Sequence, residues 1–169
     1  MQRSDGFVAG GPIIQVAWVV EDIDAAESQW GSAFGITKWT RIPDVHFGPD
    51  SCTYRGAPSD HVAHVSMAYA GDLQLELIQP VSGDSIYTEF LAVGGSGLHH
   101  VCFETDDIDA SVAAAATAGL PVVQEGSMAD GAIRFAYVDG SAGGAPYIEL
   151  AQLSPQMRDF YDAMRKDAS

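Results

Sequence analysis

The sequence predicts an α+β fold in which two βαβββ modules join their strands into one curved, barrel-like mixed sheet with helices outside. Two repeats and one periodicity carry that reading. A shift of 85 positions carries Gln15, Val16 and Trp18 onto His100, Val101 and Phe103, and Asp22-Ile23-Asp24-Ala25 onto an identical Asp107-Ile108-Asp109-Ala110. A shift of 73 carries Leu75-Glu76-Leu77-Ile78-Gln79 onto Ile148-Glu149-Leu150-Ala151-Gln152. Self-similarity of this kind marks a duplicated supersecondary unit, and both copies alternate apolar and polar residues with the period of two that strands impose. The two shifts differ by 12, so the first module holds that many extra residues between its first and last strands, which belong in a loop or hairpin.

The chain divides into a leader over 1–12, a first module over 13–80, a helical linker over 81–97, a second module over 98–153 and a terminal helix over 154–169. Gly6, Gly10, Gly11 and Pro12 leave the leader without periodicity. From Ile13 to Val20, the residues Val16, Trp18 and Val20 share the face that packs on a helix, with Gln15 and Ala17 on the other. That helix has Asp22 as its N-cap and Asp24 in its first turn, aligns Ile23, Ala26, Trp30 and Phe34 on one side, and stops at Gly35. Lys38 to Arg55 is polar, holds Pro43, Gly48 and Pro49, and reads as a hairpin or irregular strand pair. Strands over His61 to Tyr69 and Leu73 to Gln79 follow, joined at Ala70-Gly71-Asp72. In the linker, Ser82-Gly83-Asp84 precedes a helix carrying Ile86, Phe90 and Leu91, ended by Gly94-Gly95-Ser96-Gly97. The second module repeats the order: a strand over 98 to 105, an Ala-rich helix from 108 to 118 stopped by Gly119, then strands near Val122, from Arg134 to Val138 and from Tyr147 to Leu153. Ser154 and Pro155, as N-cap and first helical residue, open the last helix, whose apolar face is Met157, Phe160, Tyr161 and Met164.

Bulk properties narrow the partners. With 169 residues, 47% of them hydrophobic, the chain buries a core of its own. No apolar run reaches the ~20 residues that span a bilayer, and Met1-Gln2-Arg3-Ser4-Asp5 is not a basic-then-apolar signal, so a cytoplasmic location is the expectation. A formal charge of −15, from 23 acidic against 8 basic residues, opposes a phosphate backbone or an anionic membrane and leaves a small-molecule substrate as the partner. Cys52 and Cys102 lack Cys-x-x-Cys spacing, which excludes a thiolate zinc site and points to reduced thiols.

Four polar residues stand where packed strands want apolar ones. Alternation puts Gln15, Glu76, His100 and Glu149 on the faces opposite the bulky residues, and a paired sheet makes them converge on its concave side. Two carboxylates, an imidazole and an amide oxygen suit a divalent cation; without one, two close buried carboxylates repel and one takes up a proton. One nitrogen among oxygen donors fits octahedral Zn, Ni, Co, Mn or Mg better than tetrahedral structural zinc. Gln15 stands where the two-His, one-carboxylate triad of Fe(II) oxygenases needs a second histidine, which favours redox-neutral chemistry. His99, one residue from His100, is expected to face away and to pack or cap. His46 and His61 lie in loop-like sequence, Cys102 shares the His100 face as a buried thiol, and Tyr54, Tyr69, Tyr137 and Tyr147 are candidate cavity walls.

Gly97-Leu98-His99-His100 followed by Asp106-Asp107-Ile108-Asp109-Ala110, the linker around Asp84-Ser85, and Gly143-Gly144 before Tyr147-Ile148-Glu149-Leu150 resemble the vicinal oxygen chelate superfamily over residues 13 to 153. Within it the pattern is most similar to the methylmalonyl-CoA epimerases. Those enzymes have histidine at the position of Gln15 and a glutamate base on a first-module strand where the alignment places His64. The set Gln15, Glu76, His100 and Glu149 is instead similar to the metal ligands of glyoxalase I, although the loop from Gly140 to Pro146 and the scarcity of basic residues are not. The resemblance implies a homodimer and a divalent metal holding an enediolate or enolate. It further implies proton abstraction alpha to a carbonyl, giving epimerisation, isomerisation or elimination. It assigns Glu149 as both ligand and base, and His64 as a second base or acid whose ordinary pKa near 6.5 suits two-way transfer. The competing reading is a metal-free, antibiotic-type binding protein of the same fold; an extradiol-type dioxygenase is disfavoured by Gln15. A CoA thioester, a glutathione adduct and another carbonyl compound all stay open as substrate.

Overall fold

A computed structural model describes residues 11–168. In chain order these form β1 (Ile13–Val19), α1 (Ile23–Phe34), β2 (Thr40–Phe47), β3 (Cys52–Tyr54), β4 (Ala57–Pro58), β5 (His61–Ala70), β6 (Leu73–Ser82), α2 (Ile86–Gly94), β7 (Gly97–Glu104), α3 (Ile108–Thr117), β8 (Val122–Met128), β9 (Ile133–Asp139), β10 (Tyr147–Leu153) and α4 (Pro155–Ala168). The first ten residues of the expected leader lie outside the described residues.

The strands make one mixed sheet in the order β2-β5-β6-β1-β7-β10-β9-β8-β3-β4. The antiparallel pair β1 and β7 sits at its centre, and each of these has a parallel neighbour, β6 beside β1 and β10 beside β7. The sheet curls into a half-barrel, as the α+β reading requires. Trp18 on the outer face of β1 meets Trp30 of α1 with ring centroids 5.0 Å apart, and Val20, Ile23 and Leu77 are buried around them.

Both repeated motifs have a structural reason. Asp22 accepts from the Ala25 N–H at 2.9 Å and Asp107 from the Ala110 N–H at 3.0 Å, so each tetrapeptide starts a helix. The closing glutamines act at the same two helix starts: Gln79 Oε1 accepts from the Ile23 N–H at 2.9 Å and Gln152 Oε1 from the Ile108 N–H at 3.2 Å. A helix leaves its first amide N–H groups without intrahelical partners, and here a strand side chain takes one in each half.

The stretch from Lys38 to Arg55 departs from the expected strand pair. β2 pairs with β5, whereas β3 forms a hairpin with β4 and adds to β8, on the other half of the sheet. Arg55 and Gly56 turn that hairpin with φ of 50° and 80°, both in the region a two-residue type I′ turn demands. Residues 48–51 thus connect opposite ends of the sheet. Among the described residues no helix is long and apolar enough to cross a membrane.

Candidate active site

Strand register decides which side chains meet. Across the central pair Gln15 lies opposite Cys102 and Ala17 opposite His100; Ala17 also pairs with Glu76 on β6, and Cys102 with Glu149 on β10. Partners in register share a face of the sheet, so Gln15, Glu76, His100 and Glu149 all reach the concave side. His100 is completely buried, with Nε2 3.1 Å from Glu149 Oε2 and 3.6 Å from Glu76 Oε2. This nitrogen nevertheless makes no hydrogen bond, so it is aimed beside the carboxylates and not at either one. Burial, and then the neighbouring Glu149 charge, push the Glu76 carboxyl well above the ordinary range, opposed by a hydrogen bond from Gln15. Gln15 Nε2 also donates to Gln74 Oε1 at 2.7 Å, and Gln74 Nε2 to the Tyr69 hydroxyl at 3.0 Å, a chain that orients the amide.

These residues fit a divalent cation on one structural criterion above all: a buried imidazole nitrogen without a partner, flanked by two carboxylates and an amide. Among the described residues no three His, Cys, Asp or Glu side chains form a finished cage. Beside His100, Glu76 and Glu149, the Gln15 amide oxygen would be the further donor.

His99 belongs to the site although alternation argues otherwise. Ala17 faces His100 while Trp18 faces Leu98, which makes His99 the extra residue of a β-bulge. The bulge turns both imidazoles inward, fully buried, with Nδ1 to Nδ1 at 2.9 Å. One ring must donate and the other accept. For His100 Nε2 to offer a lone pair, His100 Nδ1 carries the proton and His99 accepts it. Burial, and next the His100 ring, lower His99 to about 2, so it stays a neutral imidazole. The 85-residue shift carries His99 back onto Ile14, which the register of the same strand pair also skips.

His64 stands apart from this cluster. It pairs with Gln79, whose side chain caps α1, and so lies on the helix side of β5, where its Nδ1 accepts from the Asp44 N–H at 3.1 Å. Its neighbours Val65 and Met67 face the cavity instead. One register step reverses the face, so His64 does not join the other four. His46 and His61 are in strands: His46 Nε2 is 2.6 Å from Asp60 at the surface, and buried His61 stacks on Phe47 at 4.5 Å and is lowered by burial to about 4.

The cluster opens into a cavity of about 240 Å³. Its walls include Phe47, Ile78 and Phe135 from the sheet and Met157, Phe160 and Tyr161 from α4. Cys102 and Tyr137 line it as well, and burial pushes both groups well up. Tyr87 of α2 reaches in from one end with its hydroxyl 2.9 Å from that of Tyr137. Of the other candidate tyrosines, Tyr54 and Tyr147 donate to Glu89, and Tyr69 serves Gln74 from outside the cavity.

A curled mixed sheet with an acid and imidazole cluster on its concave side defines a half-barrel built around a small-molecule site. The model of the Glyoxalase/Bleomycin resistance protein/Dioxygenase superfamily matches residues 14–137, and the chain belongs to that superfamily. Its relatives include the mitochondrial methylmalonyl-CoA epimerase of Mus musculus, 30% identical over 103 residues, which are 60% of this chain and 50% of that protein. The chain thus matches about half the length of this curated relative. Among solved structures, methylmalonyl-CoA epimerase from Mycobacterium tuberculosis superposes with a TM-score of 0.60 at 20% identity, over 94% of this chain and 97% of the other. A hypothetical protein from Bacillus halodurans superposes with 0.66 at 16% identity, over 87% and 97%. Both show the fold.

Proposed function

We propose that this chain is a metal-dependent epimerase, isomerase or lyase that abstracts a proton alpha to a carbonyl. The observation that carries the reading is the buried, unpartnered His100 Nε2 between Glu76 and Glu149. Gln15, Glu76, His100 and Glu149 would hold the divalent ion, with Zn, Ni, Co, Mn and Mg all compatible with the donors. Such an ion would supply positive charge to an oxygen that becomes an oxyanion as the proton leaves, worth several kcal/mol. Glu149 takes the proton, since its carboxylate is on the cavity wall and has no arginine or lysine partner among the described contacts. Tyr87 and Tyr137, held protonated by burial, present hydroxyls to the same space. The apolar walls and α4 exclude water, which strengthens each of these electrostatic contacts.

Likeness to named epimerases supports the reaction class and brings a CoA thioester in as one candidate substrate, beside a glutathione adduct or another carbonyl compound. A cytoplasmic homodimer belongs to the same reading, and sedimentation velocity checks the assembly. The mostly hydrocarbon lining favours a second reading, a metal-free binding protein. The deciding experiment is metal content by mass spectrometry on wild type and on Gln15→Ala, Glu76→Ala, His100→Ala and Glu149→Ala, followed by solvent-deuterium exchange into carbonyl substrates. A single divalent ion per chain, lost across folded variants, supports the enzyme; no ion after reconstitution leaves the binding protein.

A further inference from the structure

We infer that the cavity takes an uncharged carbonyl compound with a hydrocarbon body, and discriminates against a ligand that carries an anionic group into it. The inference deepens the proposed function by naming its substrate class. Beyond the acid cluster, the walls are hydrocarbon: Phe47, Ile78, Phe135 and Leu153 from the sheet, with Met157 and Phe160 from α4. Ile42 and Phe160, also lining it, are 39% and 41% exposed and mark the mouth. The acidic groups already present are Glu76 and Glu149, which a divalent cation would hold as carboxylates and neutralise; an anion on the ligand would be surplus in apolar surroundings.

The five arginines among the described residues have other work. Arg41 holds Asp24 and Glu27, Arg55 holds Glu89, Arg134 holds Asp109, Arg158 holds Glu104 and Asp106, and Arg165 holds Asp72 and Asp162. Helix α4 shows the choice most directly, because it turns Met157 and Phe160 into the cavity while Arg158 and Arg165 reach acids elsewhere. The volume agrees. At about 240 Å³ the cavity holds the space of roughly eight waters, below the ~300 Å³ at which drug-sized pockets begin. It admits the body of a small aryl or alkyl ketone.

A matched pair of probes tests this: benzoylacetone, a neutral 1,3-diketone, and its analogue with a carboxylate at the para position of the ring. Calorimetric titration of the full chain, with zinc and after chelation, gives four affinities. The neutral diketone is expected to bind roughly tenfold or more tightly than the carboxylate in both states. Phe160→Lys, at the mouth, narrows or reverses that preference, and Met157→Lys does so one turn deeper. Equal or tighter binding of the carboxylate by wild type, no binding of either probe, or an unchanged preference in a folded lysine variant overturns the inference. Zinc separates the two readings. A neutral preference indifferent to zinc leaves this inference standing and counts against the metalloenzyme, whereas zinc-dependent binding without a neutral preference does the reverse.

Discussion

Whether His100 offers a lone pair or a proton to the cavity is decided one bond further out, at His99. A ligating imidazole keeps its other nitrogen protonated, and the acceptor of that proton fixes the tautomer. His99 Nδ1, 2.9 Å away and fully buried, is the atom placed to be that acceptor. His99→Phe is therefore expected to weaken zinc binding ~10–100-fold, the usual effect of removing such a partner. His99→Asn, whose side-chain oxygen can still accept, recovers part of it. Competition against a chelator measures the affinity, and nitrogen-15 shifts of His100 report the tautomer; equal losses in both variants would show a packing role alone. Glu76 gives a second prediction. Because burial and Glu149 raise its folded pKa, the native chain keeps a proton that the unfolded chain releases near pH 4.3. The metal-free protein then loses stability as pH rises from about 4.3 through the folded pKa, by at most about 1.4 kcal/mol per pH unit, and levels off above it. Glu76→Gln flattens that decline, as melting temperature against pH in the presence of chelator will show. The shared face of Gln15, Glu76, His100 and Glu149 was legible in the sequence because β6 and β10 alternate without interruption around their glutamates and the bulges at Ile14 and His99 leave Gln15 to Ala17 and His100 to Cys102 in step. The resemblance gave His64 its role without regard to the face of β5 on which it stands, and His99 was hidden by a bulge that alternation does not encode.

At the scale of elements, local chemistry was readable and long-range pairing was not. Asp22, Asp107 and Ser154 announce helix starts through contacts within three residues. The repeated Gln79 and Gln152 were visible as a pattern, yet their purpose, bonding the N–H groups of Ile23 and Ile108, needed the strand and helix brought together. The β3–β4 hairpin is the extreme case, since its partner β8 lies some seventy residues on and follows a helix and a strand from the other half. Gly126 makes that docking possible: a Cβ there would stand 2.4 Å from Cys52 Sγ and 2.8 Å from the Ser51 carbonyl oxygen. Overpacking of this kind costs about 1–3 kcal/mol. Gly126→Ala is expected to lower stability by that amount in denaturant titration and to deprotect the amides of β3 and β8 before those of β1 and β7. Uniform deprotection across the sheet would mean that the hairpin is not a separable latch.

For the whole molecule, the curl of the sheet creates a concave surface and α4 covers one side of it. A 14-residue helix is only marginally stable alone in water, so α4 owes its structure to docking. Two kinds of contact hold it, beside a hydrogen bond from Lys38 Nζ to the Asp167 carbonyl. Met157 and Tyr161 pack on the core formed by Cys102, Ile133, Ala151 and Leu153, while Arg158 reaches Glu104 and Asp106 and Arg165 reaches Asp72. The apolar contacts also line the cavity, so loosening the helix opens the site. Exposed ion pairs contribute only ~0–1 kcal/mol each, too little to decide global folding but enough to shift a helix that opens more readily than the sheet. The double variant Arg158→Ala, Arg165→Ala is therefore expected to keep its sheet, exchange α4 amides about tenfold faster, and bind the hydrophobic dye ANS more strongly as the cavity wall is bared. High salt should move wild type in the same direction by screening both pairs, because the Debye length falls to ~3 Å at 1 M. If α4 exchange in the double variant matches wild type at every salt concentration, the apolar contacts alone hold the cover in place. Ligand entry then depends on the mouth between Ile42 and Phe160, without movement of the helix.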